Sequence, residues 1–255
     1  MPLTKNIKKT ILYNGDVEIV FDDSLDERGR PKHMYKANGV VLDGVTSIIA
    51  KLSKPALVPW AVKLTADWYK ENIEAGKAYD ELFLEKLYKD SKKKHDEASK
   101  AAAAHGTFLH KWLEAYVKGK NPEVPTNEIL KKSSEQLMEY FKEHNVKIKM
   151  SERMVYSKKH GFVGTADGFG TMDNNIPIVL DLKTSSDIYD EMGLQLGAYN
   201  GAFKEEFNVG MERGLIVLCG KDGSFKTRVW SRPELEDAYA AFLGLYTTYK
   251  YFKKS

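Results

Sequence analysis

The apolar positions of this chain change period twice. Between Thr10 and Phe21, β-branched and aromatic residues alternate with polar ones, which predicts strands and turns, the first of two hairpins. A charged loop, Asp22 to Pro31, follows and carries Arg28-Gly29-Arg30. His33 to Leu42 predicts a hairpin turning at Ala37-Asn38-Gly39, since Asn-Gly tolerates the positive φ of a tight turn. Gly44-Val45-Thr46-Ser47 offers the N-cap of a short helix, with Pro55 and Pro59 as punctuation beyond it. The period then lengthens. Residues 57–73, carrying Trp60, Leu64 and Trp68, predict an amphipathic helix. A longer one spans 79–117 and includes the alanine run Ala101–Ala104. It stops near Gly119, ahead of Pro122 and Pro125, and another helix covers 127–144.

After residue 147 short β-rich runs return, at 147–157, 162–171, 176–184, 214–219 and 225–230, with helices near 188–204 and 233–252. The order is helix, three strands, helix, two strands, helix. It predicts an α/β fold with a central mixed sheet flanked by helices. Residues 105–255 would form this core, and 1–104 an N-terminal hairpin and helical region beside it.

Composition narrows the class. With 255 residues, 42% hydrophobic and 11% aromatic, the chain can bury a core and is not disordered throughout. The longest apolar run of the C-terminal half, Leu215–Cys219, is far too short to span a membrane. Met1-Pro-Leu-Thr-Lys5 lacks the apolar stretch of a secretory signal, so a cytoplasmic protein is expected. A lone cysteine, Cys219, excludes an intrachain disulfide and any four-cysteine zinc or iron–sulfur site. The formal charge of +3 argues against a purely electrostatic coat for nucleic acid, but not against an enzyme acting on it. Lys92–Lys94 and the stretch Lys142, Lys147, Lys149, Arg153, Lys158 and Lys159 are either solvated surface or candidate phosphate tracks.

The chemistry concentrates in Gly164-Thr-Ala-Asp167, a turn at Asp173-Asn174-Asn175, and Ile178-Val-Leu-Asp181-Leu-Lys183-Thr184. If Asn174 centres a hairpin, Asp167 and Asp181 lie equally far from it and face each other. Lys183, two residues after Asp181, shares its face. Two close carboxylates repel unless a hard cation neutralises them, and magnesium or manganese would do so and could activate a water against a phosphodiester. Lys183 could orient or deprotonate that water, or stabilise developing charge.

These residues resemble the PD-(D/E)xK nuclease superfamily, in particular its RecB-like exonuclease branch, which includes phage-type and mitochondrial genome-maintenance exonucleases. Four motifs of that branch occur in order: Gly106-Thr-Phe-Leu-His110, Gly164-Thr-Ala-Asp167, Asp181-Leu-Lys183 and Gln195-Leu-Gly-Ala-Tyr199. The resemblance covers about residues 105–230 and implies a restriction-endonuclease-like core. It implies His110, Asp167, Asp181 and the carbonyl of Leu182 as ligands of Mg2+ or Mn2+, and Asp167, Asp181 and Lys183 as the catalytic set. Gln195 and Tyr199 would contact DNA or support the site, and Ser185 and Ser186 would meet a phosphate. Glu114 and Glu152 are candidates for supporting carboxylates. His33-Met-Tyr35 with Gly44-Val-Thr-Ser47 is similar to the segment that shapes the passage for a strand, which makes Ser47 a substrate contact. His95, His105, His144 and His160 are left as surface or structural residues.

The resemblance implies a metal-dependent DNA exonuclease without an iron–sulfur cluster, serving recombination, replication or repair and plausibly phage-encoded. Its substrate would be DNA with a free end, single- or double-stranded. A single-strand annealing or binding protein is a conceivable partner, and an oligomer would suit processive digestion. The rival functions are a structure-specific endonuclease of the same superfamily and a non-catalytic DNA-binding module that retains the fold.

Overall fold

The structure, a computed structural model, describes residues 6–27, 31–52, 57–120 and 122–253. Met1–Lys5, Arg28-Gly29-Arg30, Pro55 and the His95 side chain, all considered above, lie outside the described residues. The chain divides into two compact units, Met1–Lys51 with His110–Ser255 and, separately, Leu52–Leu109.

Thr10–Phe21 falls within a first hairpin, β1 (Ile7–Leu12) and β2 (Val17–Asp22), paired antiparallel. Between them Tyr13, Asn14 and Gly15 take φ of 54°, 56° and 110°. Asn-Gly accepts that left-handed backbone. The second hairpin is where it was expected: β3 (Met34–Ala37) and β4 (Val40–Gly44) turn at Asn38 and Gly39, both with positive φ. Helix α1 (Val45–Ile49) follows directly. Gly44 is its N-cap without a side-chain hydrogen bond, and Thr46 and Ser47 lie inside the helix instead of capping it.

Helix α2 (Leu57–Asn72) and the greater part of α3 (Glu81–Val117) make the second unit. Within it the Trp68 indole N–H donates to the Leu87 carbonyl at 3.3 Å. The last turns of α3, from His110 on, belong to the first unit.

The first unit is built on one mixed sheet. It adds α4 (Glu128–Glu143), β5 (Lys147–Tyr156), β6 (Phe162–Met172), β7 (Ile176–Lys183), α5 (Glu191–Phe207), β8 (Arg213–Cys219), β9 (Phe225–Ser231) and α6 (Arg232–Lys253). The strands run β1-β2-β3-β4-β6-β7-β8-β9, with β5 also on β6. Strands β7 and β8 are parallel and joined through α5. Both are interior to the sheet and both read as continuous apolar runs, as a strand covered on two faces requires. Helix α5 is buried through most of its length, so its composition is apolar almost all round. Gly197 is needed there: a Cβ would stand 2.6 Å from the Tyr239 backbone nitrogen of α6. The architecture is α/β, a mixed sheet flanked by helices, and is consistent with a restriction-endonuclease-like core. No described helix is long and apolar enough to cross a membrane.

Strand β6 has three neighbours, and this places the site. Strand β5 pairs along nearly its whole length, from Val163 to Thr171. On the opposite edge β4 pairs in parallel with Phe162 and Val163, and β7 pairs antiparallel with Gly168 to Met172. Gly164 to Asp167 therefore lie where β4 and β7 part, with no described strand laddered against that edge.

Candidate metal and catalytic centre

Side chains fill the gap in the sheet. The register centred on Asn174 is the observed one, with Gly168 opposite Leu180 and Phe169 opposite Val179. One step further, where Asp167 and Asp181 would pair, the backbone ladder stops. The Asp167 carboxylate takes over as acceptor and receives the Leu182 N–H at 2.7 Å. At the other end of the gap Gly164 lies under the ring of Tyr199, where a Cβ would stand 2.5 Å from Cε1. Both termini of the Gly164-Thr-Ala-Asp167 motif are thus set by strand divergence, one by close packing and one by capping a freed N–H.

His110 on α3 meets Asp167 with Nδ1 3.2 Å from Oδ1. Glu152 joins them. One ligand atom from each of His110, Glu152 and Asp167 lies within 4.8 Å of the other two. Glu152 sits in the middle of β5 between the pairs Ser151–Gly168 and Arg153–Ala166, in register with Asp167, yet takes a φ of 51°. A left-handed conformation inside a strand is strained for any residue with a Cβ, and such strain collects at functional sites. Burial, then the charge of Asp167, raises the Glu152 pKa. Burial alone would lower that of His110, but its hydrogen bond to Asp167 and the charges of Asp167, Asp181 and Glu152 outweigh this and push it up to about 9. The group is short of positive charge.

Asp181 is 2% exposed and is turned to other partners. Its Oδ2 lies 2.5 Å from the Lys183 ammonium, and its Oδ1 accepts from Gln195 Nε2 at 2.8 Å. The same Gln195 accepts from Lys183 through Oε1 at 2.9 Å and donates to the Tyr199 hydroxyl at 2.8 Å. One amide therefore fixes the carboxylate, the ammonium and the phenol. Burial raises the Asp181 pKa to about 6 against the opposing charge of Lys183. Burial works to lower the Lys183 pKa, but Asp181 and Asp167 hold it above its ordinary value, so Lys183 is a cation here.

The remaining expected residues are placed as follows. Gln195 and Tyr199 are buried, at 8% and 2% exposure, and are hydrogen-bonded to each other, Gln195 also to Asp181. Glu114, one turn beyond His110, pairs with Lys118 at 2.5 Å. The Leu182 side chain is buried and its N–H is taken by Asp167. The Ser185 hydroxyl donates to the Asp187 carbonyl, and that of Ser186 lies 2.9 Å from the Tyr189 hydroxyl. Ser47 lines a separate cavity of about 610 Å³ with Lys32, His33, Gly44 and Tyr249. His144 pairs with Asp173, and His160 packs on Phe162. In the second unit Lys93 pairs with Asp90, Lys94 with Glu97, and Lys92 stacks on Tyr88. Sequence reasoning missed Lys8, whose ammonium is 3.9 Å from Glu152 Oε2. It lies 144 residues from Glu152, so no local spacing could have signalled it.

No family model and no curated protein matches the chain. Among solved structures, the protein SSO0001 superposes with a TM-score of 0.39 at 19% identity, covering 83% of this chain and 75% of its own. A proposed exonuclease of Eubacterium rectale gives 0.36 at 13% identity, over 56% of this chain and 63% of its own. An alkaline exonuclease of Laribacter hongkongensis gives 0.26 at 13% identity, over 58% and 83% respectively, and that enzyme has also been solved with dAMP. Likenesses this distant assign no residue, and the centre described above rests on its own geometry.

Proposed function

We propose that this chain is a metal-dependent deoxyribonuclease, acting as an exonuclease in recombination, replication or repair. The observation that carries this is the convergence of His110, Glu152 and Asp167 beside the Asp181–Lys183–Gln195 cluster. Two carboxylates and one imidazole fit magnesium or manganese by donor type, the imidazole favouring manganese. His110, Glu152 and Asp167 would hold the ion, and Asp181 and the Leu182 carbonyl are the adjoining donors. A divalent cation held there would polarise a phosphoryl oxygen and lower the pKa of water.

The chain's own residues supply positioning and charge. Asp167 is held by the Leu182 N–H, so its carboxylate cannot swing away from His110. Hydrolysis adds a water oxygen to phosphorus and breaks a P–O bond, and negative charge grows on the oxygens around phosphorus. Lys183, a cation fixed by Asp181 and Gln195, meets that charge without reorganising. Its raised pKa suits this electrostatic part better than that of a general base. The exonuclease form and a DNA substrate with a free end are what the resemblance of the four motifs to RecB-like exonucleases implies. A phage origin, a single-strand annealing partner, a processive oligomer and a cytoplasmic location belong to the same proposal.

The test is digestion of 5′- and 3′-labelled single-stranded and duplex oligonucleotides with magnesium, alongside a covalently closed circle. Shortening from one end with the circle spared is the expected result. Cleavage of the circle would replace the exonuclease with the endonuclease. Equal digestion by Lys183→Ala and the unsubstituted chain would remove the assigned centre.

A further inference from the structure

We propose that Lys8 is a placeholder cation at the metal group, which the metal displaces and which then becomes a contact to the DNA backbone. This rests on the nuclease reading above and adds to it a coupling between metal and substrate.

The position of Lys8 is not that of an ordinary surface lysine. Along β1, Lys8, Thr10 and Leu12 share one face. Leu12 is 1% exposed and packs in a cluster with Met154 and Val163. Lys8 therefore stands on the inward side of the strand, where the hairpin passes over β5. Met154 and Glu152 follow the same order on β5 as Leu12 and Lys8 on β1, so the inward lysine reaches the strained glutamate. Neighbouring Lys9 points the other way and is accounted for within the hairpin, pairing with Glu18 at 3.4 Å.

Two carboxylates this close need compensating charge. In the structure His110 faces Asp167 at 3.2 Å and Lys8 faces Glu152 at 3.9 Å. A divalent ion on Glu152 and Asp167 supplies that charge from a better position and leaves Lys8 without its partner. The contact is loose, and the Lys8 side chain is 51% exposed, so its release costs little. An ammonium freed beside a phosphodiester-cleaving centre, on a flexible stem, is suited to a backbone phosphate. Metal binding would thus add one phosphate contact.

The test compares the full chain with Lys8→Met and the charge-retaining Lys8→Arg. Calorimetric titration with manganese, without DNA, should show several-fold tighter binding for Lys8→Met than for the unsubstituted chain, with Lys8→Arg close to the latter. DNA binding is then measured across a salt series with calcium in place of magnesium. Lys8→Met should lose about 0.7 to 0.9 from the slope of log K against log salt. In EDTA the slopes should coincide. Unchanged manganese affinity overturns the placeholder, and an unchanged slope in calcium overturns the phosphate contact. An unsubstituted chain that takes up no manganese contradicts the metal reading itself.

Discussion

Glu152 shows at the level of one residue what the centre costs the fold. Its φ of 51° sits inside a ten-residue strand, and its carboxylate is crowded against Asp167. Glycine adopts this backbone without strain. Glu152→Gly should therefore raise the melting temperature of the metal-free protein, by the equivalent of about 1 kcal/mol, while weakening manganese binding. A variant less stable and equally avid for manganese would contradict this. The pH dependence has a definite sign. The folded His110 titrates at about 9, above its ordinary value of 6.5, so its contribution is complete below the latter and is lost as pH rises through the former. Asp181, raised to about 6 from 3.8, also binds its proton more tightly in the folded state, so stability again falls as pH rises through that window. Metal-free protein should melt lower at pH 9 than at pH 6.5. Manganese should reverse the loss, and its binding near pH 7 should release a proton, because protonated imidazole cannot ligate. Melts at the two pH values, with and without the ion, check the His110 dependence and its reversal by manganese.

Among elements, β6 organises the centre by having β4 and β7 share one of its edges at different heights. Gly164 and Asp167 mark the two ends of the space between them. Gly164→Ala would drive a methyl into the Tyr199 ring and disturb the hydroxyl that Gln195 holds. The expected result is a loss of about 1–3 kcal/mol in a thermal melt, together with slower cleavage and unchanged manganese affinity. Much of this was legible in the chain. The β6–β7 register follows from the position of Asn174, because a short hairpin fixes pairing locally and period two fixes the faces. The buried runs of β7 and β8 identify interior strands for the same reason. The hairpin over Thr10–Phe21 was legible as well, and Asn14-Gly15 marks its turn. What spacing could not give was the positive φ of Glu152 and the reach of Lys8, since both depend on strands brought together over long separations.

Across the whole molecule, near-neutral charge is compatible with the proposed centre for a polyanion. A formal charge of +3 counts the carboxylates of Glu152 and Asp167 as if they faced water, although the fold gathers them with His110 in a group that could hold a cation. The N-terminal hairpins are continuous with the sheet through β4 and bring Lys8 to that group. The most direct measurement of the central claim is a manganese titration followed by electron paramagnetic resonance, on the intact chain and on Asp167→Asn. Asparagine keeps an acceptor for the Leu182 N–H and removes only the charge. One manganese bound per unsubstituted chain, with binding weakened at least tenfold in Asp167→Asn at an unchanged fold, is the predicted result. Equal manganese binding by both proteins would contradict a metal centre at His110, Glu152 and Asp167.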